Sequence, residues 1–392
     1  LKILQHLRLA ATKFIPVALV IGSTAVAVML GEFLVRLAVT PGDFLRATLI
    51  SDPALGFRIA PHNTGHDALG FRNSRVPEHA EIVAIGDSMT YGTSAPREGS
   101  WPYQLSNLLH KQVYNMGLGG YGPLQYLFLA KHDARKLRPK LLVVGFYFGN
   151  DFMDAYFATR EIPYWFSWRE TDSTAGGMTQ YRRTLATEPS KDFAALRDWL
   201  SRHSVLYSMI KVTLLQRVAL WEQDRLTSQT TPDHEMLWID PSNHSIRTTF
   251  TPLLRLSAMD AKLPSVREGM QITKAAFVAL KTYINDQGLR LLVVLIPTKE
   301  RVYCRYLKDT GTHMPGAFAK LCGVEQEDKE QLENFLAMNR LAYVDVTTAL
   351  EDQVDRHAQI YLKNYDAHPA ALGNGVIARV VYDAIRRQQL DK

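Results

Sequence analysis

Apolar residues follow two rhythms along this chain. Short, mostly β-branched runs at Glu81–Ile85, Gln112–Tyr114, Leu141–Phe146, Arg290–Ile296 and Ala342–Val346 predict buried strands. Between and after them, Trp101–His110, Pro123–Lys136, Met270–Asn285, Gln326–Asn339 and Ala370–Gln388 carry apolar residues at helical spacing. Strand–helix alternation predicts a parallel sheet with helices on both faces, in the strand order 2-1-3-4-5. Two stretches interrupt it. Residues 41–78, rich in Pro, Gly, Asp and Asn, read as a linker packed on the domain. Residues 152–268 exceed an ordinary crossover and need structure of their own. Within them, Ser190–Gln223 predicts one or two helices with Leu196, Trp199, Leu206 and Ile210 on apolar faces. The aromatic run Ile162–Trp168 reads as the core of this insertion in preference to a substrate-facing wall.

The first forty residues have a different pattern. Phe14 to Gly31 contains no charged residue, and apolar character continues to Val39, long enough to cross a bilayer. Lys2, Arg8 and Lys13 precede the run, which favours an inside N-terminus. The preferred reading is an uncleaved anchor over 1–40. The other two are a cleaved signal ending at Ala25-Val-Ala27 and a buried core helix. The anchor predicts a single-pass inner-membrane protein with its remaining domain, 79–392, outside the cytoplasm.

Composition changes little in this picture. With 46% hydrophobic and 21% charged residues the chain is globular, and its net charge of +6 is scattered rather than striped. No motif supports nucleic-acid binding. There are two cysteines, Cys304 and Cys322, flanking Arg305–Leu321, which reads as a polar, glycine-containing loop. In an oxidising compartment they can pair; two separate thiols is the other reading. His62, His66 and Asp67 look superficially like metal ligands, but the surrounding Pro and Gly make a polar linker the better reading, and no metal is expected.

The chemistry lies at strand ends. Gly86-Asp87-Ser88 closes the first strand, Asn115 to Gly122 follows the second, Phe148-Gly-Asn150-Asp151 follows the third, and Tyr365-Asp366-Ala-His368-Pro369 precedes the last helix. Open α/β sheets keep their ligand sites at such carboxyl ends. A serine is a poor nucleophile until a base takes its proton and a third group holds that base. His368 can be the base, and Asp366, two residues earlier, leaves an extended backbone on the same side. Acyl transfer also needs donors for a developing oxyanion: Ser88 N–H, Gly120 N–H and the Asn150 amide are candidates. Gly117-Leu-Gly119-Gly120-Tyr-Gly122 also fits the dinucleotide pattern G-x-G-x-x-G, but it does not follow the first strand, and Phe-Gly-Asn-Asp, which ends the next one, lies farther on than the expected acid, so no cofactor is predicted.

Together these blocks resemble the SGNH hydrolase superfamily of GDSL-like esterases and lipases, its four markers falling on Ser88, Gly120, Asn150 and His368. The resemblance covers about residues 79–390. It implies a three-layer, flavodoxin-like α/β/α fold interrupted by the insertion. In that superfamily the acid often stands three residues before the histidine, which here is Tyr365, so Asp366 departs from the pattern. Pro297-Thr-Lys299 after the fourth strand resembles, more weakly, a segment of SGNH-like domains in bacterial polysaccharide O-acetylation, and places Lys299 at the site border with Asp87 and Asp151. The resemblance implies a bacterial-type, membrane-anchored serine esterase that removes O-acyl groups from cell-envelope carbohydrate. The alternatives are an O-acyltransferase served by a membrane acyl-transporting protein, and a non-catalytic envelope scaffold on the same fold.

Overall fold

The computed structural model describes residues 2–169, 193–211, 213–214, 236–240 and 246–390. They fall into two compact units, one within 1–47 and 189–216, the other within 48–188 and 217–392.

The larger unit is built on five parallel strands: β3 (Ile82–Gly86), β4 (Val113–Gly117), β5 (Leu141–Tyr147), β8 (Arg290–Ile296) and β9 (Ala342–Asp345), in the spatial order β4-β3-β5-β8-β9. This is the expected 2-1-3-4-5 arrangement. Alternate residues serve opposite faces, as the pleat requires. Ile82, Ala84, Leu141, Val143, Leu292 and Val294 join one core with Trp101, Leu105, Ile377 and Val381 of the helices Trp101–Leu109 and Ala371–Arg387. On the other face Phe146 meets Phe152 and Phe277, from the helices Asp151–Glu161 and Pro264–Gln287.

Several elements differ from the sequence reading. The second strand runs on through Gly117, because it pairs with β3 as far as Gly86↔Gly117. The helix expected over 123–136 is present over that span, with a π turn at Ala130–Ala134 inside it. The helix expected over 326–339 begins at Gly316, and a helix Lys299–Asp309 fills what read as the start of a loop. Arg305–Leu321 is therefore two helix ends joined by a short turn, and the Cys304–Cys322 disulfide ties one helix to the other, Cα atoms 6.0 Å apart. The missed helix carries its own start signal: the Thr298 side chain accepts from Arg301 N–H, with Glu300 in the first turn.

Residues before β3 do more than connect. Leu49–Asp52 (β1) and Gly56–Ile59 (β2) form a hairpin, turned where Asp52 accepts from the N–H groups of Ala54 and Leu55. Asp67 and Asn73 then bond Tyr114 and Asn115 of β4. Within the insertion, Met236–Ile239 (β6) and Arg247–Phe250 (β7) make an antiparallel ribbon whose Trp238 and Phe250 pack on Tyr303. The 162–168 aromatics divide: Trp165 is buried, donating to the Ala54 carbonyl at 2.7 Å, while Tyr164 and Phe166 are exposed.

The smaller unit holds the helix Lys2–Ala38, in which Ile15–Ala38 has a mean hydropathy of 2.1 and is long and apolar enough to cross a membrane. The helix Ala194–His203 and a second helical run from Val205 pack against its C-terminal end.

Candidate active site

Glycine at one level of three strands makes room for the turn that carries Ser88. Gly86 faces Gly117 on one side and Gly145 on the other. A Cβ on any of them would stand under 3.0 Å from Thr90, whose buried side chain fills the slot. The short helix Ser88–Tyr91 is thus seated directly on the sheet end. Asp87 caps it through Met89 N–H at 2.8 Å, and Gly92 closes it at φ 81°. From outside, buried Arg72 donates to the carbonyls of Gly92 at 2.8 Å and Ala95 at 2.9 Å, clamping the turn that holds Ser88.

Residues nearly three hundred positions apart in sequence meet here. Ser88 Oγ lies 2.7 Å from His368 Nε2, and His368 Nδ1 lies 2.7 Å from Asp366 Oδ1. Asp366 Oδ1 also accepts from His368 N–H, and Oδ2 accepts from Ser94 Oγ at 2.6 Å. Burial alone would raise the Asp366 carboxyl, but the His368 hydrogen bond and charge, then Ser94, hold it well below the usual carboxylate range. Tyr365, where the superfamily often has its acid, is exposed. Asp366 therefore occupies the orienting position.

The loop carrying Asp366 is fastened from beneath. Fully buried Lys299 donates to the carbonyls of Asn364 at 3.0 Å and Asp366 at 2.9 Å, and burial pushes its amine down to about 8. Thr248 and Thr249 of β7 add hydrogen bonds to the Asn364 carbonyl. Lys299 thus braces the backbone; it does not present its charge at the site surface.

On the other side of Ser88 stand Gly120 and Asn150. A Cβ on Gly119 would lie 3.4 Å from the Ser88 Cβ, so the loop after β4 runs beside Ser88. Gly120 adopts φ +82°, a conformation that favours glycine, and is exposed. Among the described residues, neither Ser88 N–H nor Gly120 N–H has a protein acceptor. Asn150 donates one amide hydrogen to Asp154. Asp151 faces away: its oxygens accept from Tyr126 OH and Tyr147 N–H, pinning the turn after β5. Burial, then repulsion from Asp87, pushes the Asp151 and Asp154 carboxyls well up, and burial raises Asp87 to about 6. A cavity of about 410 Å³ opens from Gly120, walled by Phe57 of the hairpin and by Gln125, Asp154, Phe157 and Ile162. His66 and Asp67 are spent on Tyr91, Tyr114 and their own turn.

The sequence blocks marked Ser88, His368, Asp366, Gly120 and Asn150; they did not mark Arg72, Ser94 or Asp154. Lys299 was marked, but not for the contacts it makes. No local signal exists for Arg72, whose partners are backbone carbonyls twenty residues on. Asp154 is one helical turn past Asn150, a spacing that places the two on one face.

A serine–histidine–aspartate relay beside unpaired backbone N–H groups, on a flavodoxin-like parallel sheet, is the site of an acyl-handling enzyme. Residues 257–392, which include Lys299, Asp366 and His368, match the family model described as SGNH hydrolase-like domain, acetyltransferase AlgX. No curated protein matches the chain. Similar solved structures include a member of the lipolytic protein G-D-S-L family from Veillonella parvula, at 12% identity, TM-score 0.36, covering 78% of this chain and 98% of that one. Another is a catalytic mutant of Axe2, an acetylxylan esterase from Geobacillus stearothermophilus, at 10% identity, TM-score 0.35, covering 79% of this chain and 95% of that one.

Proposed function

We propose that this chain is a membrane-anchored serine esterase acting outside the cytoplasm on O-acyl, chiefly O-acetyl, groups of cell-envelope carbohydrate. The observation that carries the reading is the unbroken Ser88–His368–Asp366 chain of contacts. Ser88 Oγ bonds the ester carbonyl carbon while its proton passes to His368 Nε2. The carbonyl electrons move onto oxygen, where Ser88 N–H, Gly120 N–H and the second Asn150 amide hydrogen receive them. The C–O bond to the sugar then breaks, and His368 returns the proton to the leaving alkoxide. Water, deprotonated by His368, resolves the acyl-enzyme in the same way. The apolar helix would hold the enzyme in the inner membrane with this site on the outer side.

A second reading is favoured by the AlgX description of the matched family. The same acyl-serine would then be loaded from a donor supplied by a membrane acyl-transporting partner and resolved by a sugar hydroxyl in place of water. Purified full-length protein, given acetylated envelope polysaccharide in one arm and an acetyl ester donor with deacetylated polysaccharide in the other, separates the two. Net acetate release supports the esterase; acetyl appearing on the polysaccharide supports the transferase; neither, with no acyl-serine formed, would leave only the scaffold alternative.

A further inference from the structure

The insertion between β5 and β8 has a part whose role the acyl chemistry leaves open. Helix Ala194–His203 and the helical run from Val205 meet at Ser204 in an elbow. The elbow is fastened to the last turns of the apolar helix by an unusual density of polar contacts. Glu32 accepts from Ser204 Oγ at 2.8 Å and from the N–H groups of Val205 at 2.9 Å and Leu206 at 3.0 Å, so its carboxylate caps the second run. Arg36 pairs with Glu32 and donates to the His203 carbonyl at 2.7 Å, satisfying the end of the first. Ser201, Val205 and Ser208 are buried, and a Cβ on Gly31 would lie 3.2 Å from Leu206, so the small-residue side of the elbow faces the apolar helix. Arg46 reaches Asp198 from the following segment.

Among the described residues, the opposite side is apolar and uncovered. Leu196 and Trp199, 52% and 56% exposed, fall three residues apart on the first helix, and Phe193, 77% exposed, is its N-cap. Ile210 and Leu214, four apart, continue it on the second. Phe33, Leu34 and Leu37 of the apolar helix are exposed at the same end.

We infer that this elbow is an interfacial membrane element, lying in the outer headgroup layer with Leu196, Trp199, Ile210 and Leu214 against the acyl chains. The inference rests on the reading that the apolar helix spans the bilayer. Phe14–Gly31, at about 1.5 Å per residue, is about 27 Å long and so nearly fills a hydrocarbon core of about 30 Å. Glu32 and Arg36 then stand at the outer boundary, and the hydrogen bonds above fix the elbow to that depth. At such a boundary an indole with an apolar neighbour on one side and water on the other is well placed, and an amphipathic helix lies in the plane rather than across it. The occupant of the face is lipid because the face continues the lipid-facing surface of the spanning helix.

Full-length protein in phosphatidylethanolamine–phosphatidylglycerol vesicles tests this with nitroxides at W199C, I210C, V26C and M338C. The two native cysteines are disulfide-bonded and do not react. Positions 199 and 210 are expected to collide with oxygen yet lose most of the collisions with a water-soluble nickel chelate that exposed position 338 shows; position 26 loses nearly all. Nickel collisions at 199 and 210 equal to those at 338, with 26 protected, would overturn the elbow proposal and leave the span intact. Protection of 199 and 210 from both reagents would overturn it in favour of a protein cover. Nickel collisions at 26 would overturn the span and the elbow together.

Discussion

The Lys299 ammonium lies 2.9 Å from the backbone carbonyl of Asp366, not from its carboxylate. A buried cation thus holds the backbone of the orienting acid while leaving that acid's oxygens to His368 and Ser94.

Lys299→Met keeps the bulk and removes the donor. The Asp366 carbonyl loses its donor, which costs about 1–3 kcal/mol, while that of Asn364 keeps Thr248 and Thr249. Displacement of the loop is expected to lower kcat roughly 10–100-fold with little change in KM, because the error lies between His368 and Ser88 rather than in substrate contacts. The stability effect has a sign that pH reveals. Burial lowers the folded-state amine from 10.5 to about 8, so between those values the unfolded chain binds more protons and stability rises with pH. Denaturant titrations should show wild type gaining on Lys299→Met across that window; parallel curves would contradict the buried-amine account.

Asn150 and Asp154 should act as one unit. Asn150→Ala is expected to cost about 10²–10³ in kcat, the usual loss for one oxyanion donor. Asp154→Ala, which frees the Asn150 amide to rotate, should cost less and add little in the double variant. Full additivity in that cycle would separate the two residues.

Asp87 should carry a stability cost at neutral pH. Burial raises its folded-state carboxyl from 3.8 to about 6, so across that interval the native state binds more protons and stability falls as pH rises. Asp87→Asn retains a capping oxygen and removes the charge. It is expected to be stabilised relative to wild type at pH 7 by an amount on the order of 1–3 kcal/mol, and by almost nothing at pH 4. Equal effects at both values would place the cost elsewhere.

The order of the central sheet was legible because each strand is a short apolar run, and the site because its chemistry sits on the strand ends. What was not legible depends on contacts between distant segments. Gly117 read as the start of a loop; it is a strand residue kept bare by Thr90, which lies on another element. The helix Lys299–Asp309 was obscured because Lys299 and Glu300, charged residues that ordinarily mark surface, are both buried. Arg72 and Phe57, in a stretch whose composition is that of a linker, brace the nucleophile turn and wall the cavity. Polar residues facing backbone carbonyls leave no periodic trace.

The central claim is that Ser88 is the nucleophile. The most direct measurement is labelling of the full-length protein with a fluorophosphonate, followed by peptide mass mapping. The account expects one adduct, on Ser88, absent in Ser88→Ala and formed far more slowly in His368→Ala. An adduct on any other residue, or labelling that persists in Ser88→Ala, would contradict it.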